Sequence, residues 1–61
     1  MEVYIREEGS WRFVHGPADL AGRRGDLRIK GDADELAVSR WAVALGVAVA
    51  LGASVTREEG K

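Results

Sequence analysis

Asp32-Ala33-Asp34-Glu35, followed by the apolar segment from Leu36 to Val55, is the stretch that decides the fold. Its acidic start has the pattern of a capping box, in which Asp32 accepts from unpaired backbone N–H groups and Glu35 reaches back toward the cap. The segment after it carries a single charge, Arg40, and is rich in alanine. This composition predicts a long apolar helix that the rest of the chain must cover.

The same segment alternates large and small residues from Trp41 to Leu51, a period that is typical of strands. On that reading Gly46 ends the helix and a strand follows at Val47 to Leu51. The alanine content and the cap favour one continuous helix over residues 33–52, about 30 Å long. A short extended tail at residues 54–57 would then be able to pair with a sheet.

Three short runs before the helix have the composition of strands. Residues 2–6 and 10–15 are separated by Glu7-Glu8-Gly9 and predict a hairpin, and residues 26–30 predict a third strand. Alternation along each run separates an inward face from an outward one. The expected core is Val3, Ile5, Trp11, Phe13, Leu27 and Ile29 of the strands against Leu36, Val43, Val47 and Leu51 of the helix. The connection at residues 16–25 is expected to be exposed, with one helical turn at residues 19–21.

The predicted fold is therefore a single α+β domain over residues 1–61, of order β-β-β-α with an optional short final strand. A small antiparallel three-stranded sheet would pack on one long helix. A domain of 61 residues buries only about 60% of its unfolded surface, so additional stabilisation is expected. The chain has no cysteine and one histidine, which excludes disulfides and disfavours zinc, and self-association remains. The lack of cysteine and of a signal-like N-terminus predicts a cytoplasmic protein.

A stripe of small residues runs along one side of the predicted helix. Its members recur at steps of three and four and include Ser39, Ala42, Gly46, Ala50 and Ala53. Smooth faces of this kind let two backbones approach closely. The leading hypothesis is a small non-enzymatic interaction or regulatory module that forms a homodimer or larger assembly, or binds another protein, through this stripe. The alternative is that the stripe sits on the domain's own sheet or faces solvent.

The outer face of the sheet supports a second hypothesis. It is expected to carry a basic surface with one aromatic ring, formed by Tyr4, Arg6, Arg12, Arg28 and Lys30. Sheets backed by a helix bind nucleic acid in this way, with cations on phosphates and a ring for stacking. A tail-anchored membrane peptide is a distant third, because the uncharged segment from Trp41 to Val55 spans about 22 Å of a bilayer core of about 30 Å.

No catalytic, cofactor or metal site is predicted. His15 has no second histidine with which to share a metal and no serine or cysteine motif to serve. The aspartates do not show the spacing of a calcium loop. The net charge of −1 provides no global field toward nucleic acid or anionic lipid. These observations favour binding over catalysis.

Residues 3–40 resemble the N-terminal half of HicB-type antitoxins, in which two strands lead to a Pro-Asp-Leu-Pro-Gly turn, a third strand and an acidic helix start. The matching residues are Gly9 in the hairpin, the turn Pro17-Ala18-Asp19-Leu20-Ala21-Gly22, and Gly31-Asp32-Ala33-Asp34-Glu35-Leu36. The chain departs from the pattern by an inserted alanine, extra residues at 23–26 and a more apolar helix. The resemblance implies a partly degraded ribonuclease-like fold that binds and neutralises a small toxin.

Overall fold

The computed structural model describes residues 1–58 and confirms the α+β class. The elements are β1 (Glu2–Glu7), β2 (Ser10–Val14), α1 (Pro17–Leu20), β3 (Leu27–Lys30), α2 (Glu35–Ala50) and β4 (Val55–Glu58). Helix α2 runs unbroken through Gly46, so the alternative with a strand at Val47 to Leu51 is wrong. The single helical turn predicted at residues 19–21 is α1, which begins two residues earlier because Pro17 suits a first helical turn.

The sheet has four strands in the order β2-β1-β3-β4 and is mixed. The three predicted strands pair antiparallel as expected, and the optional final strand is present and makes the sheet four-stranded and mixed instead of purely antiparallel. Strands β1, β2 and β3 pair antiparallel, but α2 carries the chain back across one face and returns it as β4, parallel to β3. The backbone N–H groups of Leu27 and Gly31 donate to the carbonyls of Ser54 and Glu58 along this pair. The tail expected at residues 54–57 does join the sheet.

The hairpin register overturns part of the predicted core. A two-residue turn, Glu8-Gly9, with both residues at positive φ, places Tyr4 opposite Phe13 and Val3 opposite Val14. Cross-strand partners share a face, so Trp11 and Phe13 point away from the helix. Phe13 is 41% exposed and Val14 only 2%. The inward-facing residue of β2 in the core is Val14, not the two aromatic residues.

The core lies between α2, α1 and one face of the sheet. Its buried members are Val3, Ile5, Val14, Leu20, Leu27, Ile29 and Trp41. Four helix residues expected to pack on the sheet are instead exposed: Leu36, Val43, Val47 and Leu51. On the side of α2 that meets the sheet, Trp41 is buried, and Ala44, Leu45 and Ala48 are partly buried against the core. Alanine lets the helix axis approach the sheet while one large ring fills the remaining volume, and the β-branched residues are left outside.

The connection into β3 depends on a close backbone approach. Gly25 lies against the Arg6 carbonyl, and a Cβ at this position would clash with that oxygen. Its φ of 150° is also one that other residues rarely adopt. The backbone N–H of Arg6 donates to the carbonyl of Asp26 at 2.9 Å, and the Asp26 carboxylate accepts from the Ser54 N–H at 3.1 Å. Asp26 thus ties β1 to the segment that enters β4.

The N-cap of α2 is Asp34, two residues after the predicted one. Its side chain accepts a hydrogen bond of 2.8 Å from the backbone N–H of Ala37, whereas Asp32 is exposed in the preceding loop. The capping box built on Asp32 is therefore wrong, although the acidic segment does start the helix. Of the two aspartates, only Asp34 has the three-residue separation from Ala37 that a cap requires.

Replacing Asp34 with alanine should lower the free energy of unfolding by about 1 kcal/mol, the usual value for loss of an N-cap acceptor. Asp32→Ala is the matched control, since it removes the same charge two residues away and should change the free energy by less than about 0.5 kcal/mol. Urea unfolding followed by circular dichroism at one protein concentration measures both. Equal losses in the two variants would contradict the cap assignment.

Candidate functional site

The solvent-facing side of α2 is apolar along most of its length. Leu36 and Val43 are 78% and 79% exposed, and each of the other valines on this side is at least half exposed. We call this surface the apolar helix face; it comprises Leu36, Val38, Ser39, Ala42, Val43, Gly46, Val47, Val49 and Ala50. Soluble monomers rarely present so continuous an apolar patch, so this face is a candidate contact surface.

The predicted small-residue stripe forms the middle of this face, with one exception. Ser39, Ala42, Gly46 and Ala50 are exposed, and a Cβ added to Gly46 would meet no atom within 4 Å. The alternative that the stripe packs on the sheet is therefore wrong. Ala53 lies beyond the end of α2 and is half-buried, so it is not part of the exposed stripe.

A groove of about 430 Å³ runs beside the apolar helix face, between α1 and α2. Its walls are formed largely by Pro17, Ala18, Leu20, Val43, Ala44 and Val47. Arg23 and Arg40 stand at its rim. The groove extends the apolar surface from the helix onto α1, which enlarges the area that a partner could cover.

Arg23 holds α1 against the hairpin. Its guanidinium donates to both carboxylate oxygens of Glu7 at 3.0 Å and to the Asp19 carboxylate at 3.2 Å. The backbone N–H of His15 donates to the other Asp19 oxygen at 3.1 Å. This hydrogen bond is the main cause of a lowered pKa of Asp19, and the nearby Arg23 lowers it further against partial desolvation. The hydrogen bond to Glu7 raises the pKa of Arg23.

The opposite side of the molecule is a face of the sheet that no described element covers. It brings together three aromatic residues and three cations from three strands. We call it the outer sheet face; it comprises Tyr4, Arg6, Trp11, Phe13, Arg28 and Lys30. The sequence predicted four of these residues on this surface, Tyr4, Arg6, Arg28 and Lys30, and the register places all four there.

Cations and rings alternate on the outer sheet face. The guanidinium carbon of Arg28 lies 4.4 Å from the Trp11 ring centroid, and that of Arg6 lies 5.6 Å from it. Lys30 lies 5.6 Å from the Tyr4 ring centroid. The Tyr4 and Phe13 rings meet edge to face at 5.5 Å. These cation–π contacts and the edge-to-face ring pair pack the side chains against one another in a single layer.

Two carboxylates border this layer. Glu58 of β4 lies 3.4 Å from Arg28 and 3.9 Å from Lys30. Glu2 accepts a hydrogen bond of 2.9 Å from the Tyr4 hydroxyl, and this bond is the main cause of a raised pKa of Tyr4. The pairs are exposed, so water screens them and they are weak.

Arg12 is not part of this surface, and the prediction that it is was wrong. It is the register partner of Ile5, on the helix side of the sheet, where its guanidinium pairs with Glu7 at 3.4 Å. Trp11 and Phe13 take its place and were missed. The signal that identifies them is the turn: two loop residues between Glu7 and Ser10 put the odd-numbered residues of β2 on the same face as the even-numbered residues of β1.

Within residues 1–58, no helix combines the length and apolar content needed to span a bilayer. Nor do three acidic or histidine side chains of that range come together as a metal-binding group. Comparisons with protein-family models, curated proteins and solved structures find no significant match. The two surfaces described above are therefore the basis for any functional argument.

The stability of the protein should depend on Asp19 ionisation. Because its folded pKa is depressed, its contribution is present above the unfolded value and is lost as the pH falls through the folded value. Asp19→Asn should lower the thermal midpoint at pH 7, and the difference from the parent should shrink as the pH falls below the ordinary aspartate pKa of about 3.9. Differential scanning calorimetry across this range measures it. Glu8→Gln, in the exposed turn, is the control and should behave like the parent; a pH-independent difference for Asp19→Asn would contradict the assignment.

Proposed function

We propose that this protein is a small, non-enzymatic, cytoplasmic interaction or regulatory module that self-associates through the apolar helix face. The observation that carries the proposal is the exposure of large aliphatic side chains along α2, with Val43 at 79% and Leu36 at 78%. Leaving such side chains in water is unfavourable by roughly 1.5 kcal/mol or more each, relative to full burial. A partner surface would remove that penalty.

The shape of the face suits a second helix. In an α-helix, the stripe through Ser39, Ala42, Gly46 and Ala50 lies on the side opposite Trp41 and Ala44, which contact the sheet. Rows of larger residues flank it, with Val43 and Val47 on one side and Val38 and Val49 on the other. A second α2 could lie along the stripe between these rows, with Gly46 at the point of closest approach.

The occupant we favour is a second copy of this chain. Between Leu36 and Ala50 the apolar helix face carries no charged residue, with Glu35 at its N-terminal end and Arg40 at its edge, so the middle parts of two identical faces meet without like-charge repulsion. The same absence leaves a strongly charged partner nothing to pair with there. Antiparallel pairing about Gly46 would also place the acidic helix starts of the two copies, at Glu35, at opposite ends of the interface. A twofold interface requires this kind of self-complementary surface.

The available area predicts a weak association. Helix α2 has 16 residues and is therefore about 24 Å long and about 10 Å across, so one half of its surface offers roughly 400 Å². Full overlap of two copies would bury roughly 800 Å², and a twofold axis at Gly46 overlaps only residues 42–50 and buries roughly half of that. Both areas lie below the roughly 1,200 Å² at which stable interfaces begin. Contact with the walls of the groove on α1 would add area. We therefore expect a dimer whose population depends on concentration.

The resemblance to HicB-type antitoxins supports the same class of function, because it implies binding of another protein. Such a partner would be an alternative occupant of the apolar helix face and of the groove beside it. The two occupants are distinguishable, since only self-association changes the mass of the purified chain.

Gly46→Glu should abolish self-association. Near a twofold axis, the substitution brings two carboxylates together and fills the point of closest approach. Replacing a helical glycine with glutamate also improves helix propensity by about 0.5 kcal/mol, so the monomer should not be destabilised. Light scattering across a hundredfold range of concentration should show the mass of the parent rising toward a dimer and that of Gly46→Glu staying monomeric.

Thr56→Glu is the matched control, because it adds the same charge at an exposed position on β4, away from α2. It should associate like the parent. A parent that is monomeric over the whole range would refute the proposal, and so would an unchanged mass in Gly46→Glu.

A further inference from the structure

We propose that the outer sheet face binds single-stranded nucleic acid, with aromatic rings stacking on bases and three cations contacting phosphates. This proposal does not depend on the apolar helix face, which lies on the other side of the sheet. It rests on the arrangement of Tyr4, Trp11, Phe13, Arg6, Arg28 and Lys30 on one open surface.

The ring spacing suits an extended strand of nucleic acid. Trp11 and Phe13 are two residues apart on β2, which separates their Cα atoms by about 6.8 Å. This distance is twice the rise of about 3.4 Å between stacked bases. Two neighbouring bases that each stack on one ring would therefore have to unstack from each other. Phe13 is the open ring, at 41% exposure, and Tyr4 braces it edge to face. Arg28 is stacked on the Trp11 ring, 4.4 Å from its centroid, and so fixes the orientation of this second ring in the layer.

The cations are placed to contact a backbone that crosses the sheet. Arg6, Arg28 and Lys30 lie on the two central strands, β1 and β3, beside the rings rather than at a distant edge. Within residues 1–58, the one ion-pair partner of Arg28 and Lys30 is the exposed carboxylate of Glu58, at 3.4 Å and 3.9 Å. An incoming phosphate would compete with this weak pair. The Nε atom of Arg28, which faces this carboxylate at 3.4 Å, is itself buried and makes no hydrogen bond among residues 1–58.

The aromatic rings of the outer sheet face favour single-stranded nucleic acid over other polyanions. An acidic peptide would satisfy the three cations but would leave the rings without a stacking partner. A duplex keeps its bases paired inside the helix and presents only phosphates and groove edges. Unpaired bases, by contrast, have faces that stack on aromatic side chains whatever their sequence. The surface therefore fits single-stranded RNA or DNA with little sequence preference.

The test measures fluorescence anisotropy of labelled thymidine and uridine dodecamers titrated with the full chain in about 0.05 M salt. We expect binding of one or both, with a slope of about −2 in log affinity against log salt, the value for three phosphate contacts on a single strand. Binding should also quench the tryptophan fluorescence. The quenching would come from the partly exposed Trp11, because the only other tryptophan, Trp41, is 5% exposed and lies in the core. A hairpin duplex of the same length should bind at least tenfold more weakly.

Two variants separate the ring from the charge. Phe13→Leu keeps an apolar side chain but removes the π face, and it should weaken binding about tenfold without changing the salt slope. Arg6→Glu should weaken binding and reduce the magnitude of the slope by about 0.7, since one phosphate contact is lost. Both positions are exposed, so circular dichroism should show a parental fold.

Two controls carry matched changes elsewhere. Arg24→Glu makes the same charge reversal in the exposed loop before β3 and should change affinity less than twofold at about 0.1 M salt, where screening acts over about 10 Å. Gly46→Glu, on the helix side, should retain binding even where it abolishes self-association. Failure of this proposal is therefore distinguishable from failure of the proposed dimer.

Four results would each overturn the proposal. They are no binding of either dodecamer at low salt, equal or tighter binding of the duplex, equal binding of a poly-glutamate peptide, and equal losses in Arg6→Glu and Arg24→Glu. The first denies any interaction. The other three would show that charge alone accounts for the binding and that the rings do not read unpaired bases.

Discussion

One helix can cover only one face of a sheet, and this constraint organises the whole molecule. Helix α2 crosses from β3 to β4 on one side, and α1 packs beside it on that same side. The four strands therefore have an inward face, closed by Trp41 and Leu20, and an outward face that nothing among residues 1–58 covers. Helix α2 also has an uncovered side. Its apolar residues lie all around the helix axis, and only one side of the helix contacts the sheet, so the others stay exposed.

Two unpartnered surfaces follow, on opposite sides of the molecule and of different chemistry. The apolar helix face is uncharged and dominated by valine, which suits burial against a like surface. The outer sheet face carries cations stacked on rings, which suits a ligand with both negative charge and flat groups. Pairing of two helices would leave both outer sheet faces exposed, so the two proposed contacts are geometrically compatible. A dimer would then present two binding faces on one particle.

The chemistry of the outer sheet face depends on the length of a single turn. With two residues, Glu8 and Gly9, between the strands, Phe13 pairs with Tyr4 and Val14 with Val3. A turn one residue longer or shorter would reverse the face of every residue in β2 and send both aromatic side chains into the core. The basic part of the site was predictable because β1 and β3 alternate cleanly. The aromatic part was not found by alternation, which relates residues within one strand and leaves the register between strands open.

The sequence by itself determined the local elements: three strands, the acidic start of a long helix and a final extended tail, whereas the continuity of that helix through Gly46 was favoured but left open. These depend on residue type and on neighbours a few positions away. Only the tertiary structure decided which side of β2 and which side of α2 are buried. Apolar residues lie all around the axis of α2, so the sequence pattern does not indicate which side is buried. The side with Trp41, Ala44 and Ala48 packs because its shape fits the sheet. The parallel pairing of β4 likewise depends on the helix crossing over the sheet, a long-range geometry that no local pattern encodes.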